Sequence, residues 1–222
     1  MPETTRILPI TAPEEIEAAS LAIIDAEVPE PRPYVGPQWD IVRRLIHTTA
    51  DFELLKLVRF SANAVQAGLT ALDQGATIIT DTEMARCAIP LRRLQPFGCT
   101  VRCFMNDPDV VAAAAAAGST RAALAMDFAL DLPGPVIFAI GNAPTALLRL
   151  IKRLNSGAPA PALVIGMPVG FVNAAESKAL LQTRADVPWI TIKGRKGGSA
   201  LAGATVNALA IVLRAAGAAG KA

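Results

Sequence analysis

The chain has 222 residues, 52% hydrophobic, 18% charged and 5% aromatic, with a formal net charge of +2. That composition can fill an aliphatic core and excludes a disordered chain, and so weak a charge gives no reason to expect nucleic acid as a partner. The length fits one α/β domain spanning 1–222 better than two small ones. Met1-Pro2-Glu3-Thr4-Thr5 carries no basic region followed by an apolar stretch, so no signal peptide is expected. A first helix is predicted over Pro13–Ala26, opening on acidic residues as a helix N-terminus prefers. The Pro-rich segment Val28–Pro37 reads as an extended linker. It leads into a helix that carries Arg43, Arg44 and His47.

Helix Phe60–Gln74 and strand Ala76–Thr80 come next, then strand Cys99–Phe104 and helices Asp107–Ala117 and Thr120–Leu130. The alanine run Ala112–Ala117 is strongly helix-forming, and Gly118 ends it. Strand Val136–Ile140, helix Ala143–Leu154, strand Ala162–Ile165, helix Ala174–Arg184, strand Trp189–Ile192 and helix Ser199–Ala215 complete the chain. This alternation predicts an α/β fold, a doubly wound and mostly parallel sheet with helices on both faces. Val136–Ile140 and Ala162–Ile165 are apolar throughout, as central parallel strands should be. The longest uncharged run, Gly197–Leu213, reads as a small-residue helix packed in a core or interface, and no membrane partner is expected.

His47 is the only histidine, hence the only side chain whose ordinary pKa, about 6.5, lets it exchange protons near neutrality. The competing reading is a helix-end histidine that merely packs or caps. Arg44 and Arg43 lie three and four residues before it and can share its helix face. Further cations cluster at Arg92-Arg93, Arg149/Lys152/Arg153 and Lys193/Arg195/Lys196, either as solvated faces or as holders of a polyanion. Cys87, Cys99 and Cys103 form no C-x-x-C pair and no metal spacing with His47. They are expected to be buried, reduced thiols of a cytoplasmic protein, without a zinc site.

Ligands of doubly wound sheets sit at the carboxyl ends of the strands. Here those ends carry Asp81-Thr82-Glu83-Met84, Gly141-Asn142-Ala143, Gly166-Met167-Pro168 and Lys193-Gly194-Arg195-Lys196-Gly197-Gly198-Ser199-Ala200. The last segment suits an anion, because its glycines allow close backbone approach and a helix start follows. A tight turn with solvated cations explains the same spacing. Neither G-x-x-x-x-G-K-[ST] nor G-x-G-x-x-G is present, and no serine sits in a G-x-S-x-G elbow. Asp81 and Glu83 read either as a helix cap or as a carboxylate pair.

Several motifs in order resemble the precorrin-8X methylmutase family. They are Ser20-Leu21-Ala22-Ile23-Ile24, Arg44-Leu45-Ile46-His47, Asp81-Thr82-Glu83-Met84 and Gly118-Ser119-Thr120-Arg121. Ala139 to Leu147, Gly166 to Val172 with Ala175-Glu176-Ser177-Lys178, and Gly194 to Ala200 continue the match over nearly the whole chain. The resemblance implies a homodimeric isomerase of cobalamin biosynthesis that moves a methyl group from carbon 11 to carbon 12 of a tetrapyrrole, metal-free or cobalt-loaded. It also implies His47 as proton donor and acceptor and Ser20 and Arg44 as substrate contacts, to which we add Arg121 and the turn residues Gly194, Arg195, Gly197, Gly198 and Ser199. An intramolecular methyl shift requires no cofactor, and none is expected. Asn106 departs from the family pattern, where a basic residue is expected before Asp107. The rival readings are a tetrapyrrole carrier without chemistry and a nucleotide-dependent α/β enzyme.

Overall fold

The computed structural model describes residues 12–219, so the expectation for Met1–Thr5 lies outside the described residues. Six strands form one sheet in the order β1-β6-β5-β4-β2-β3, where β1 is Val58–Phe60, β2 Thr77–Thr80, β3 Thr100–Cys103, β4 Val136–Ile140, β5 Leu163–Gly166 and β6 Trp189–Ile192. All neighbours are parallel except β1, which pairs antiparallel with β6 at the sheet edge, Val58 opposite Ile192. The five strands read from the sequence are present, and the fold is the α/β architecture expected.

The inner strands are buried on both faces. Ile137 and Ala139 of β4 enter one core, and Val136, Phe138 and Ile140 the other; β5 divides Leu163 and Ile165 from Val164 in the same way. This alternation makes a central strand read as a continuous apolar run. The first core is covered by α1 (Pro13–Glu27), α2 (Pro37–Thr49), α4 (Ala64–Asp73) and α11 (Ser199–Ala219). The second lies under α7 (Pro108–Ala116), α8 (Arg121–Leu130), α9 (Pro144–Asn155) and the buried side of α10 (Ala174–Gln182). Short helices α3 (Leu54–Leu57), α5 (Glu83–Cys87) and α6 (Leu91–Leu94) fill the connections.

Three expectations are corrected. The helix predicted over Phe60–Gln74 begins only at Ala64, because Phe60 belongs to β1 and the Ser61 amide goes on to donate to the Trp189 carbonyl. The last helix runs to Ala219; over Ser199–Gly217 it has the length and hydropathy of a membrane span, but half of that stretch is buried, packed on α2, α4 and α5. Cys99 is buried as expected, whereas Cys103 is half-buried and Cys87 is exposed.

The chain reverses its winding between β2 and β4, the switch point where such sheets open a ligand crevice. Here that crevice is filled from within. The Asp81 carboxylate, wholly buried just after β2, accepts hydrogen bonds from the amides of Gly141, Asn142 and Ala143 at 2.9, 2.8 and 2.6 Å. These amides precede α9, the position at which a phosphate-binding fold would hold its anion. Burial pushes the Asp81 carboxyl pKa up, against the pull of the three amides. The approach is closed as well: a Cβ on Gly141 would lie 2.6 Å from the Ser199 Cα.

Removing this carboxylate strands three amides. Asp81→Ala is expected to lower unfolding free energy by about 3 kcal/mol or more, and Asp81→Asn by less, since one amide oxygen can still accept. Urea denaturation of both variants measures this, and wild-type midpoints would contradict it.

Candidate functional site

His47 is placed by the apolar side of its helix. Gly36 (φ +54°) and Pro37 start α2, and Trp39, Ile41, Val42, Leu45 and Ile46 are buried. Their spacing leaves Asp40, Arg43, Arg44 and His47 on the remaining face. The helix stops at Ala50, which takes a left-handed conformation (φ 52°) and donates its amide to Ile46. Because β1 runs antiparallel, this end of α2 stands beside the carboxyl end of β6.

Ser20 and His47 line the same open groove, of about 350 Å³, between α1 and the end of α2. Its other walls are Ile23, Ile24, Glu27, Ile46, Ala50 and Phe52, a largely apolar trough with the imidazole, the Ser20 hydroxyl and the Glu27 side chain as polar points. The Ser20 hydroxyl donates to the Ile16 carbonyl at 2.8 Å. Arg44 lies on the adjoining groove, of about 270 Å³, between α1, α2 and α11. It donates to Glu17 at 2.5 Å. Arg43 is held by two carboxylates, Asp25 at 2.7 Å and Asp40 at 3.0 Å. So the two arginines expected beside His47 both have carboxylate partners on or near α1.

The turn after β6 reaches the same corner. Lys196 forms ion pairs with Asp51 and Glu53, just past the His47 helix, at 2.5 and 2.6 Å. This contact holds the Asp51 carboxyl below the usual carboxylate range. The Gly170 amide donates to Arg195 and the Gly198 amide to Met167, which fastens the turn to the segment after β5. The contact is so close that a Cβ on Gly197 would fall 2.1 Å from the Met167 carbonyl. Gly194 (φ +81°) makes the bend. Arg195 is exposed, its guanidinium 5.4 Å from the ring centre of the exposed Phe171. Ser199 is buried, its hydroxyl 2.9 Å from that of Thr82.

Arg121 is not brought to this corner. It sits beyond β3, donating to Asn106 at 3.2 Å and to the Met105 carbonyl at 3.4 Å. Four strand spacings, roughly 19 Å, separate β3 from β6. Asn106, where the resemblance leads us to expect a basic residue, is therefore a direct neighbour of Arg121.

Sequence reasoning missed the roles of four residues. Asp81 caps the approach to α9 and not its own helix; Thr82 caps α5, accepting from the Ala85 amide at 3.1 Å. Glu17 carried no motif beyond lying one turn before Ser20. Lys178 did carry a signal, since it shares the buried face of α10 with Ala174, Ser177 and Leu181 at helical spacing. It is wholly buried and donates to the Lys196 carbonyl at 2.5 Å, so it supports the turn from beneath.

Burial lowers the Lys178 pKa to about 8 from 10.5. A folded-state pKa below the unfolded one means the unfolded chain binds the extra proton between those values, so stability rises with pH across that window. Relative to Lys178→Met, the wild type should gain about 2 kcal/mol of unfolding free energy between pH 7 and pH 9.5. Parallel pH dependence of the two proteins in denaturant titrations would contradict this.

Known proteins match this chain closely. The family model described as CbiC, precorrin-8X methylmutase, matches residues 15–212. The cobalt-precorrin-8 methylmutase of Priestia megaterium is 42% identical over 209 residues, covering 94% of this chain and 92% of that protein. The cobalt-precorrin-8 methylmutase of Salmonella typhimurium is 44% identical over 212 residues, 92% of this chain and 98% of the other. The precorrin-8X methylmutase of Pseudomonas aeruginosa is 46% identical over 169 residues, 75% and 80% of the two chains. A crystal structure of the precorrin-8X methylmutase from Thermus thermophilus superposes with a TM-score of 0.84 at 45% identity, covering 92% of this chain and 98% of that one. Fold and near full-length similarity agree: this chain belongs to the precorrin-8X methylmutase family, isomerases of cobalamin biosynthesis.

Proposed function

We propose that the chain moves a methyl group from carbon 11 to carbon 12 of precorrin-8X or cobalt-precorrin-8, with His47 as the proton donor and acceptor. The observation that carries this reading is the position of the sole imidazole, half-buried on a largely apolar trough with Ser20 opposite and Arg44 one turn away. In the shift, the bond from carbon 11 to the methyl breaks as the bond from carbon 12 forms, and the ring double bonds move to match. No atom enters or leaves. A proton lent by the imidazole to a ring nitrogen withdraws electron density from the receiving carbon, which then accepts the methyl with its bonding pair, and the same imidazole recovers the proton afterwards. A positioned acid of this kind contributes typically 10²–10⁴-fold, roughly 3–5 kcal/mol of barrier.

The acetate and propionate arms of such a substrate call for cations at the rim. Arg44 and the exposed Arg195 lie on the same corner as His47; Gly194 precedes Arg195 in its turn, and Gly197 and Gly198 lead from it to Ser199, the first residue of α11. Arg121, at the far end of the sheet edge, fits an arm only if the ligand extends along that edge or a second chain brings its own Arg121 near. We read the enzyme as a homodimer of the cytoplasm. The open groove and the exposed Val169, Phe171 and Val172 beside the Arg195 turn favour a covering copy, and the three free thiols suit a reducing compartment. Sedimentation should give twice the mass of one chain; a lone chain at working concentration would contradict the dimer.

A nucleotide-dependent enzyme is disfavoured by Asp81, which already occupies the amides a phosphate would need. The carrier reading differs only at the imidazole. His47→Ala is expected to bind the tetrapyrrole within a few-fold of wild type while turnover, followed by absorbance, falls about 10²–10⁴-fold. Near-normal turnover by this variant would remove the proton-transfer role; an unchanged substrate spectrum with the wild-type protein would favour the carrier.

A further inference from the structure

The proposed reaction gives no task to the carboxylate of Glu17, which lies among the cations of the site. It accepts from the Arg44 guanidinium at 2.5 Å, and that hydrogen bond holds its carboxyl below the usual range, with the charges of Arg93 and His47 adding to the effect. Arg44 makes no other side-chain hydrogen bond or ion pair among the described residues. The pair is built differently from its neighbours. Arg43 is fixed by two carboxylates, and Arg149 grips Asp127 through Nε and Nη2. Arg44 instead touches one oxygen through one nitrogen. Its side chain is 13% exposed and that of Glu17 is 40% exposed. An arginine offers five donors in a planar fork, so this contact leaves most of the fork unused and one partner within reach of water.

We propose that Glu17 sets the affinity for the tetrapyrrole: it holds the Arg44 guanidinium in the free protein and is displaced when a substrate carboxylate arm takes its place. This rests on the reading of Arg44 as a substrate contact. Binding then exchanges one ion pair for another. Arg44 stays oriented and charge-compensated while the site is empty, and neither substrate nor product is held by a full, uncontested ion pair.

Equilibrium absorbance titration with hydrogenobyrinic acid, the metal-free product of the proposed reaction, tests this on Glu17→Gln, Glu17→Asp and Arg44→Gln. Glu17→Gln keeps the length of the side chain and removes its charge; Glu17→Asp keeps the charge and shortens its reach to Arg44. Both are expected to bind roughly two- to fivefold more tightly than wild type, the scale of one partly exposed ion pair, while Arg44→Gln binds more weakly. Tightening by Glu17→Gln alone would mean that Glu17 acts only through the general field of its charge, and would overturn the exchange. Unchanged or weaker binding by both glutamate variants, with Arg44→Gln still weakened, would overturn it too and leave the Arg44 contact standing. Wild-type affinity in Arg44→Gln would instead remove the contact itself. Thermal melting of each variant confirms that it is folded before it is titrated.

Discussion

The hydrogen bonds from three successive amides to the buried Asp81 carboxylate fill the crevice at the switch point of this sheet. In a doubly wound sheet the crevice at the switch point is the usual ligand site, and the amides before the next helix are its anion cradle. Here the chain supplies its own anion to that cradle and packs Gly198 and Ser199 against Gly141. The carboxyl edge is thereby closed at its middle. What stays open is the corner beyond β6, where the antiparallel β1 brings the end of α2 alongside.

That corner is held by contacts that cross the chain. Lys196 is the hinge of the arrangement: its ammonium faces Asp51 and Glu53 past the His47 helix, and its carbonyl receives the buried ammonium of Lys178. The turn with Arg195 is therefore tied to the segment carrying the imidazole on one side and to α10 on the other. A buried ammonium without a carboxylate partner is costly. Its placement under this turn fits a requirement for a fixed backbone beside the groove.

Much of the fold was legible because the signals are local. Apolar runs such as Val136–Ile140 betray strands covered on both faces, and Pro37, Asp107 and Thr120 mark helix starts. The edge strand Val58–Phe60 was not legible: three residues with Arg59 at the centre have no pattern of their own, and it is pairing with Trp189–Ile192 that makes them a strand. In the site, His47 stood out as the sole imidazole, and the fold sets it on the same groove as Ser20, which lies 27 residues earlier in the chain. The partners of Arg44 and Asp81 did not follow, because each contact joins residues 27 or about 60 positions apart. Arg121 shows the same limit from the other side. Its motif is clear, yet strand order puts it at the opposite end of the sheet edge.

The central claim is that the one imidazole lies against the bound macrocycle. A single histidine makes this directly observable, since protein labelled with ¹⁵N-histidine gives the ring-nitrogen signals of His47 alone. Titration with hydrogenobyrinic acid should shift those resonances and saturate with the binding curve followed by absorbance. Resonances that stay in place while absorbance reports a fully occupied protein would put the macrocycle elsewhere and contradict the account.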